Sequence, residues 1–167
     1  MTGILIAGVG NIFQGDDGFG VEVAQRLVDR RLGPGVEVTD FGIRGIDLTY
    51  ALMDAYDAVV LVDAAARGER PGTLSLIEPD APESSSLAPG DVLISAHDLD
   101  PAKVLRIAAA LGGNCRRVLL LACEPLDCGG ADGHIGLSAP VAAAIAPALA
   151  MIETLIKDLQ REGAMAA

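Results

Sequence analysis

Residues 3–20, GILIAGVGNIFQGDDGFG, place a short apolar run before a glycine-rich turn that contains two adjacent aspartates. The run is β-branched and ends in glycine, which predicts a buried strand. After the turn, apolar residues recur at helical spacing. They are Val21, Ala24, Leu27, Val28 and Leu32. The order strand, glycine turn and helix predicts the start of a βαβ unit.

The same alternation continues along the chain. Strands are predicted for VEVTDFG from Val36, AVVLVDAA from Ala58 and RRVLLLACEP from Arg116, with GTLSLIE from Gly72 as an edge strand. Helices are predicted around residues 46–53, over residues 100–113 and from Ser138 onward. We therefore expect an α/β fold: a three-layer sandwich whose mostly parallel, twisted sheet of about five strands carries helices on both faces.

Composition limits the class of protein. The chain of 167 residues is 51% hydrophobic, which predicts one domain over residues 1–167. Its net charge of -11 disfavours nucleic acid and anionic membranes as partners. The N-terminus lacks a basic region followed by a cleavage site, so we expect a cytoplasmic protein. We also expect a monomer.

An uncharged stretch and the number of cysteines bear on whether the protein spans a membrane or is held by disulfides or zinc. The longest uncharged stretch, residues 135–152, contains Gly136, Pro140 and Pro147, and predicts a buried helix rather than a membrane span. An odd count of three cysteines without a Cys-x-x-Cys pair argues against a disulfide framework and a structural zinc site. These cysteines are Cys115, Cys123 and Cys128, and we expect reduced thiols.

The glycine turn does not fit a phosphate site. Phe13 occupies the third glycine position of a dinucleotide-binding motif. In the spacing of a P-loop, Asp16 replaces the lysine and Asp17 the hydroxyl residue, so two carboxylates would face the phosphates. A cation site is favoured, with helix capping by Asp16 or Asp17 as the alternative.

Ligands for a cation are expected at the carboxyl ends of the strands, where open α/β sheets bind. Asp17 follows the first strand, Asp40 ends the second, and Asp63 ends VVLVD. His97 closes the long Pro/Ser/acid-rich segment 79–98, whereas His134 lies in a glycine turn. Asp17, Asp63 and His97 together suit a borderline divalent metal and leave positions open. The alternatives are an exposed loop histidine and a capping role for Asp63.

Four motifs in this order, GVGNIFQGDDGFG, VVLVDAA, SAHD and HIGLSAP, resemble those of the NiFe-hydrogenase maturation endopeptidases over nearly the whole chain. The resemblance implies an endopeptidase that removes a C-terminal extension from the hydrogenase large-subunit precursor after nickel insertion. It implies nickel contacts at Asp17, Asp63 and His97. The metal would be carried by the substrate, and other divalent metals could occupy the site.

Two departures from that family concern the site and the client. Asp17 stands where the family often has glutamate, and DFGIRG, residues 40–45, stands where it often has an Asp-Gly-Gly-Thr turn. The second departure would mark a different client hydrogenase, with Arg44 either contacting the substrate or pairing with a surface acid. The roles of Asp16 and Asp40 are left open.

The catalytic chemistry has fewer signals in the sequence. No Gly-x-Ser-x-Gly or H-E-x-x-H motif occurs, and Cys123 at a strand end is expected to be buried and inert. Water attack remains, either with the metal polarising the carbonyl or with a carboxylate of an aspartic-type site acting as base. The alternatives to a peptidase are a non-catalytic nickel chaperone or carrier and a dinucleotide-binding enzyme.

Overall fold

The computed structural model describes residues 3–78, 106–107, 109–110, 112–113 and 115–165. Residues 106–107 and 109–110 are helical and belong to the helix predicted over 100–113, most of which lies outside the described residues. The other elements, in chain order, are β1 (Ile4–Val9), a 3-10 helix (Gly15–Gly18), α1 (Phe19–Val28), β2 (Val36–Gly42), α2 (Gly45–Ala51), β3 (Ala58–Ala64), β4 (Leu74–Ile77), β5 (Val118–Cys123) and α3 (Ala139–Met165).

The sheet is mixed but mostly parallel. Its strand order is β2-β1-β3-β5-β4. β1 pairs in parallel with β2 and β3, and β3 pairs in parallel with β5. β4 pairs with β5 in the antiparallel direction and forms one edge. The predicted fold class and the predicted edge strand are both confirmed.

Helices cover both faces of this sheet. Every residue of β1 and β5 is buried, as expected for central strands of an α/β fold. One face packs against α1 and α3, through residues such as Phe19 and Ile152. The other face packs against Leu48 of α2, against Leu52 just after that helix, and against Ile107. The protein therefore has the three layers that the sequence predicts.

The long helix α3 is a core helix in this fold. Its buried residues lie on one face at helical spacing. They are Val141, Ala144, Ile145, Ala148, Leu149, Ile152, Ile156 and Leu159. By length and composition alone α3 could also cross a membrane, but core helices of soluble proteins meet the same criterion. Its packing in the hydrophobic core agrees with the buried helix predicted for this region.

Two glycines allow α1 to approach the sheet at van der Waals distance. A Cβ atom on Gly20 would lie 2.0 Å from the carbonyl oxygen of Val62 and 2.3 Å from that of Val9. A Cβ atom on Gly8 would lie 2.4 Å from the carbonyl oxygen of Gly20. The glycine spacing that resembles a nucleotide motif therefore serves close packing between helix and strand.

The element boundaries differ from prediction in small ways. β2 has the bounds of the predicted stretch VEVTDFG, Val36–Gly42, but Asp40 therefore lies within the strand rather than at its end as expected. α2 ends at Ala51, and Met53 is exposed after it. Val28 is also exposed although its spacing predicts the buried face, because α1 ends at this residue.

Candidate active site

The site predicted at the carboxyl ends of the strands lies where the strand order reverses. β2 and β3 follow β1 on its opposite sides, and α1 and α2 lie on opposite faces of the sheet. In open α/β sheets with this arrangement, ligands bind in a crevice beyond the carboxyl ends of the central strands, which are β1 and β3 here. Asp17 lies in the 3-10 helix that follows β1, and Asp63 is the penultimate residue of β3.

Asp17 and Asp63, here called the acid pair, meet beside Gly10. Gly10 has a φ of +134°, a conformation that favours glycine. A Cβ atom on it would lie 1.8 Å from the carbonyl oxygen of Asp17 and 3.7 Å from Oδ1 of Asp63. The backbone N–H of Asn11 donates a hydrogen bond of 2.9 Å to Oδ2 of Asp17. The turn after β1 thus brings Asp17 to the end of β3.

Asp63 is held in a state that opposes ionisation. Its side chain is only 8% exposed. Burial raises the pKa of Asp63 well above its ordinary value, and the negative charge of Asp17 raises it further. A hydrogen bond of 2.8 Å from the backbone N–H of Ala64 to Oδ1 acts in the opposite direction but does not compensate. The two carboxylates are therefore coupled electrostatically.

No positive side chain balances the acid pair in the part of the chain that the structure describes. Within that part, neither Asp17 nor Asp63 takes part in a salt bridge. The described residues also contain no group of three or more His, Cys, Asp or Glu side chains that could hold a metal ion. His97, the predicted third ligand, lies outside the described residues. So does segment 79–98, which the sequence singles out for binding.

Asp16 has a different role from its neighbour Asp17. It is fully buried. Its Oδ2 accepts hydrogen bonds of 2.8 Å from the N–H groups of Leu126 and Asp127 and from the hydroxyl of Ser138. Its Oδ1 accepts a bond of 2.6 Å from the N–H of Ser138. Burial opposes ionisation of Asp16, but these bonds outweigh it and lower its pKa. Asp16 therefore ties the turn after β1 to the loop after β5.

That loop, residues 124–138, also joins the turn through its backbone. His134 donates its N–H to the carbonyl of Phe13 at 3.0 Å and accepts from the N–H of Gly15 at 2.9 Å. The N–H of Asp16 donates to the carbonyl of Asp127 at 2.8 Å. Of the two histidines in the chain, His134 is thus fixed beside the turn by its main chain. The two segments form one structural unit around the acid pair.

Asp40 and Arg44 are engaged with neighbouring groups. Oδ2 of Asp40 accepts a hydrogen bond of 3.2 Å from the side-chain amide of Gln25 on α1. The guanidinium of Arg44 pairs with Asp47 at 3.2 Å and donates to the carbonyl oxygens of Phe41 and Asp40. The surface pairing considered for Arg44 is therefore observed. Asp40 lies on the strand next to β1, with its carboxylate bonded to α1.

The cysteines do not offer an activated thiol. Cys115, Cys123 and Cys128 are all free, as expected. Cys123 is buried, and its thiol donates a weak hydrogen bond of 3.8 Å to the carbonyl of Glu124. Burial, with the charges of Asp16 and Glu124, raises the pKa of Cys123 to about 11. A thiol with this pKa is almost fully protonated at neutral pH, which agrees with the inert cysteine predicted.

Comparison with known proteins identifies the family. The profile of the HycI family, described as hydrogenase maturation protease, matches residues 21–155. The chain belongs to the hydrogenase maturation protease family. A curated member, the hydrogenase expression/formation protein HupM of Azotobacter chroococcum, is 35% identical over 90% of this chain and 72% of its own length. HoxM of Azotobacter vinelandii is 33% identical over 98% of this chain and 75% of its own length.

Solved structures agree with this family assignment. The hydrogenase maturating endopeptidase HybD from E. coli superposes with a TM-score of 0.75 and 28% identity, covering 94% of this chain and 93% of that one. A hydrogenase 2 maturation peptidase from a Thaumarchaeota archaeon superposes with a TM-score of 0.69 and 28% identity, covering 93% and 99%. The predicted resemblance is confirmed, and membership supports a peptidase.

The role of Asp16 at this site was not predicted from the sequence. The sequence left the role of Asp16 open, whereas the structure makes it the acceptor of four hydrogen bonds. Its partners lie 110 to 122 positions further along the chain, so no local pattern identifies them. The one available signal is the pair of adjacent acids, which is more than a helix cap requires.

Proposed function

We propose that this protein is the endopeptidase that cleaves the C-terminal extension from a nickel-loaded NiFe-hydrogenase large-subunit precursor. Membership of the maturation protease family supports the reaction class. We also propose that nickel is the element by which the enzyme recognises its substrate. The partner is thus a precursor protein that brings its own metal.

The acid pair, in which Asp63 is buried and Asp17 is half-buried, is the observation on which this proposal depends. Two coupled carboxylates at the mouth of a crevice destabilise each other when both are ionised. A divalent cation placed between them would remove that repulsion. If the two residues had only a structural role, the fold would be more stable with a neutral residue in place of one of them. Recognition of a cation, by contrast, uses both carboxylates.

We propose Asp17, Asp63 and His97 as the nickel contacts. Carboxylate oxygen and imidazole nitrogen are both suitable donors for a borderline divalent metal, so the acid pair fits this role chemically. Three ligands from the enzyme leave positions for groups of the precursor. Other divalent metals with similar preferences could occupy the same ligands.

Cleavage in this proposal proceeds by attack of water on the scissile peptide bond. The bound ion would supply Lewis-acid chemistry at the carbonyl, or it would only orient the tail while a carboxylate of the acid pair accepts the proton from water. Cys123 takes no part in either scheme.

The decisive experiment measures the mass of the precursor. We expect the enzyme to remove the tail from nickel-loaded precursor and to leave nickel-free precursor intact. Asp17→Ala, Asp63→Ala and His97→Ala should each abolish the cut. Asp29→Ala, at an exposed acid just after the end of α1, is the matched control and should cut normally.

Each other outcome has a defined meaning. Nickel binding by the isolated protein without any cleavage would favour a carrier over a peptidase. Normal cleavage by all three variants would refute the site assignment. A dinucleotide enzyme would be indicated by saturable binding of NAD, which the acid pair disfavours because it repels a pyrophosphate.

We further propose that the enzyme acts as a monomer in the cytoplasm. The strongly acidic net charge of -11 supports a protein that stays dispersed and does not adsorb to anionic membranes. Sedimentation at micromolar concentration measures the monomeric state, and cell fractionation measures the location.

A further inference from the structure

Four large apolar side chains are exposed on the two segments next to the acid pair. Ile12 and Phe13 lie in the turn after β1, and Leu126 and Ile135 lie in the loop after β5. Phe13 is 58% exposed and Ile135 is 73% exposed. We call these four residues the rim patch. Single exposed apolar residues are ordinary on protein surfaces, but a cluster at a binding crevice indicates an interaction site.

The backbone brings these residues onto one surface beside Asp17. The carbonyl of Phe13 accepts the N–H of His134, which is adjacent to Ile135. The N–H of Leu126 is bound by the carboxylate of Asp16, next to Asp17. Ile12 contacts the same turn, since a Cβ atom on Gly18 would lie 3.2 Å from its Cα atom. The rim patch therefore lies on the same hydrogen-bonded pair of segments that holds Asp17.

The two segments that carry the rim patch hold acidic side chains and no basic ones. Segments 10–18 and 124–138 contain five acids and no lysine or arginine. These acids are Asp16, Asp17, Glu124, Asp127 and Asp132. The carboxylate of Asp16 accepts hydrogen bonds inside the protein, whereas Asp127 and Asp132 are exposed beside the rim patch. An apolar centre with an acidic border is complementary to an apolar segment bordered by basic residues.

We propose that the rim patch is the surface on which the precursor docks, and that it takes an apolar segment of the precursor flanked by Lys or Arg. This inference rests on the proposed function. Apolar contacts next to the acid pair hold the precursor on the enzyme equally before and during the reaction, and the acidic border sets the orientation of the incoming chain. The rim patch thereby supplies binding energy that the metal contacts do not.

The test compares matched serine substitutions. Phe13→Ser and Ile135→Ser remove apolar area from the rim patch, and Val28→Ser removes a residue that is 57% exposed at the end of α1. Because α1 runs back from the crevice, Val28 lies at the amino end of the sheet. Initial rates of tail removal are measured against precursor concentration, and circular dichroism checks that each variant is folded.

We expect KM to rise by about fivefold or more in Phe13→Ser and Ile135→Ser, with kcat unchanged. Val28→Ser should keep the KM of the unaltered protein. For Asp127→Asn with Asp132→Asn, we expect a higher KM at low salt and a weaker dependence of KM on salt. An unchanged KM in both serine variants would overturn the docking surface and leave the proposed function intact.

Binding of nickel-loaded precursor to the immobilised protein separates the two proposals. If the unaltered protein cuts nothing, the proposed function fails, and weaker binding of Phe13→Ser than of Val28→Ser still supports docking. Equal binding by these two variants overturns docking. A shift from dimer to monomer on Phe13→Ser, measured by sedimentation, would assign the rim patch to a second copy of this chain and also overturn the proposal.

Discussion

Asp16 and Asp17 are adjacent, but substituting them should change different properties. Loss of Asp16 should lower the stability of the protein, whereas loss of Asp17 should abolish cleavage and leave the stability nearly unchanged. Asp16→Ala removes the buried acceptor of four hydrogen bonds and leaves the partly buried donors of Leu126, Asp127 and Ser138 without this partner. Hydrogen bonds to a charged group contribute about 1.5–3 kcal/mol each, and their sum is reduced by the desolvation of the carboxylate. We expect a net loss of about 3–5 kcal/mol, as when one partner of a buried ionic network is removed.

That loss is large relative to the stability of a domain, which is about 5–15 kcal/mol. For a chain of this size it corresponds to a fall in Tm of about 6–20 °C. Asp17→Ala removes one backbone hydrogen bond, from Asn11, and also relieves repulsion with Asp63. We therefore expect its stability to change by less than about 1 kcal/mol.

Urea unfolding followed by circular dichroism gives the free energy of unfolding of both variants, and precursor cleavage below the Tm gives their activity. Asp17→Ala should be stable and inactive. Asp16→Ala should be unstable, and Asp16→Asn, which keeps one acceptor oxygen, should lie between Asp16→Ala and the unaltered protein. If Asp16→Ala were as stable as Asp17→Ala, the structural role of Asp16 would be refuted.

Three further predictions concern the acid pair, the thiol and the packing of α1. Asp63→Asn should be more stable than the unaltered metal-free protein at pH 7, by about 0.5–2 kcal/mol, because it removes a carboxylate whose charge is opposed by burial and by Asp17. Since the pKa of Asp63 is raised in the folded state, ionisation of Asp63 lowers the stability of the unaltered protein as the pH rises above the unfolded pKa of about 3.9. The higher melting temperature of Asp63→Asn should therefore disappear below that pH. Cys123→Ala should leave kcat within about twofold of normal, since a thiol of pKa about 11 is not a nucleophile at pH 7, and loss of cleavage in a folded variant would contradict this. Gly20→Ala should lower the free energy of unfolding by about 3 kcal/mol or more, because its Cβ atom would lie 2.0 Å from the carbonyl oxygen of Val62; an unchanged urea midpoint would show that α1 can move away without cost.

The sheet was predictable because its signals are local. Apolar runs such as residues 58–64 have the composition of buried parallel strands, and glycine turns separate them from helices of period 3.6. The edge position of β4 follows from its alternation of apolar and polar residues. Helix boundaries were less predictable, since α2 stops at Ala51, before the last apolar positions of its pattern.

The acid pair was predictable for a topological reason. Parallel strands end at one edge, so acids that follow β1 and β3 are brought together without any specific contact being known. The role of Asp16 was not predictable, because its partners come from a loop more than a hundred residues away. The exposure of Phe13 and Ile135 was not predictable for the same reason, because the contacts of a loop side chain depend on segments that are distant in the sequence.

X-ray absorption at the nickel edge tests the central claim most directly. Nickel-loaded precursor is mixed with the protein, frozen before cleavage and compared with precursor alone. We predict that the nickel gains oxygen or nitrogen ligands on binding to the unaltered protein, and gains fewer with Asp17→Ala or Asp63→Ala. An identical nickel environment in all of these samples would contradict the claim that the acid pair contacts the metal carried by the substrate.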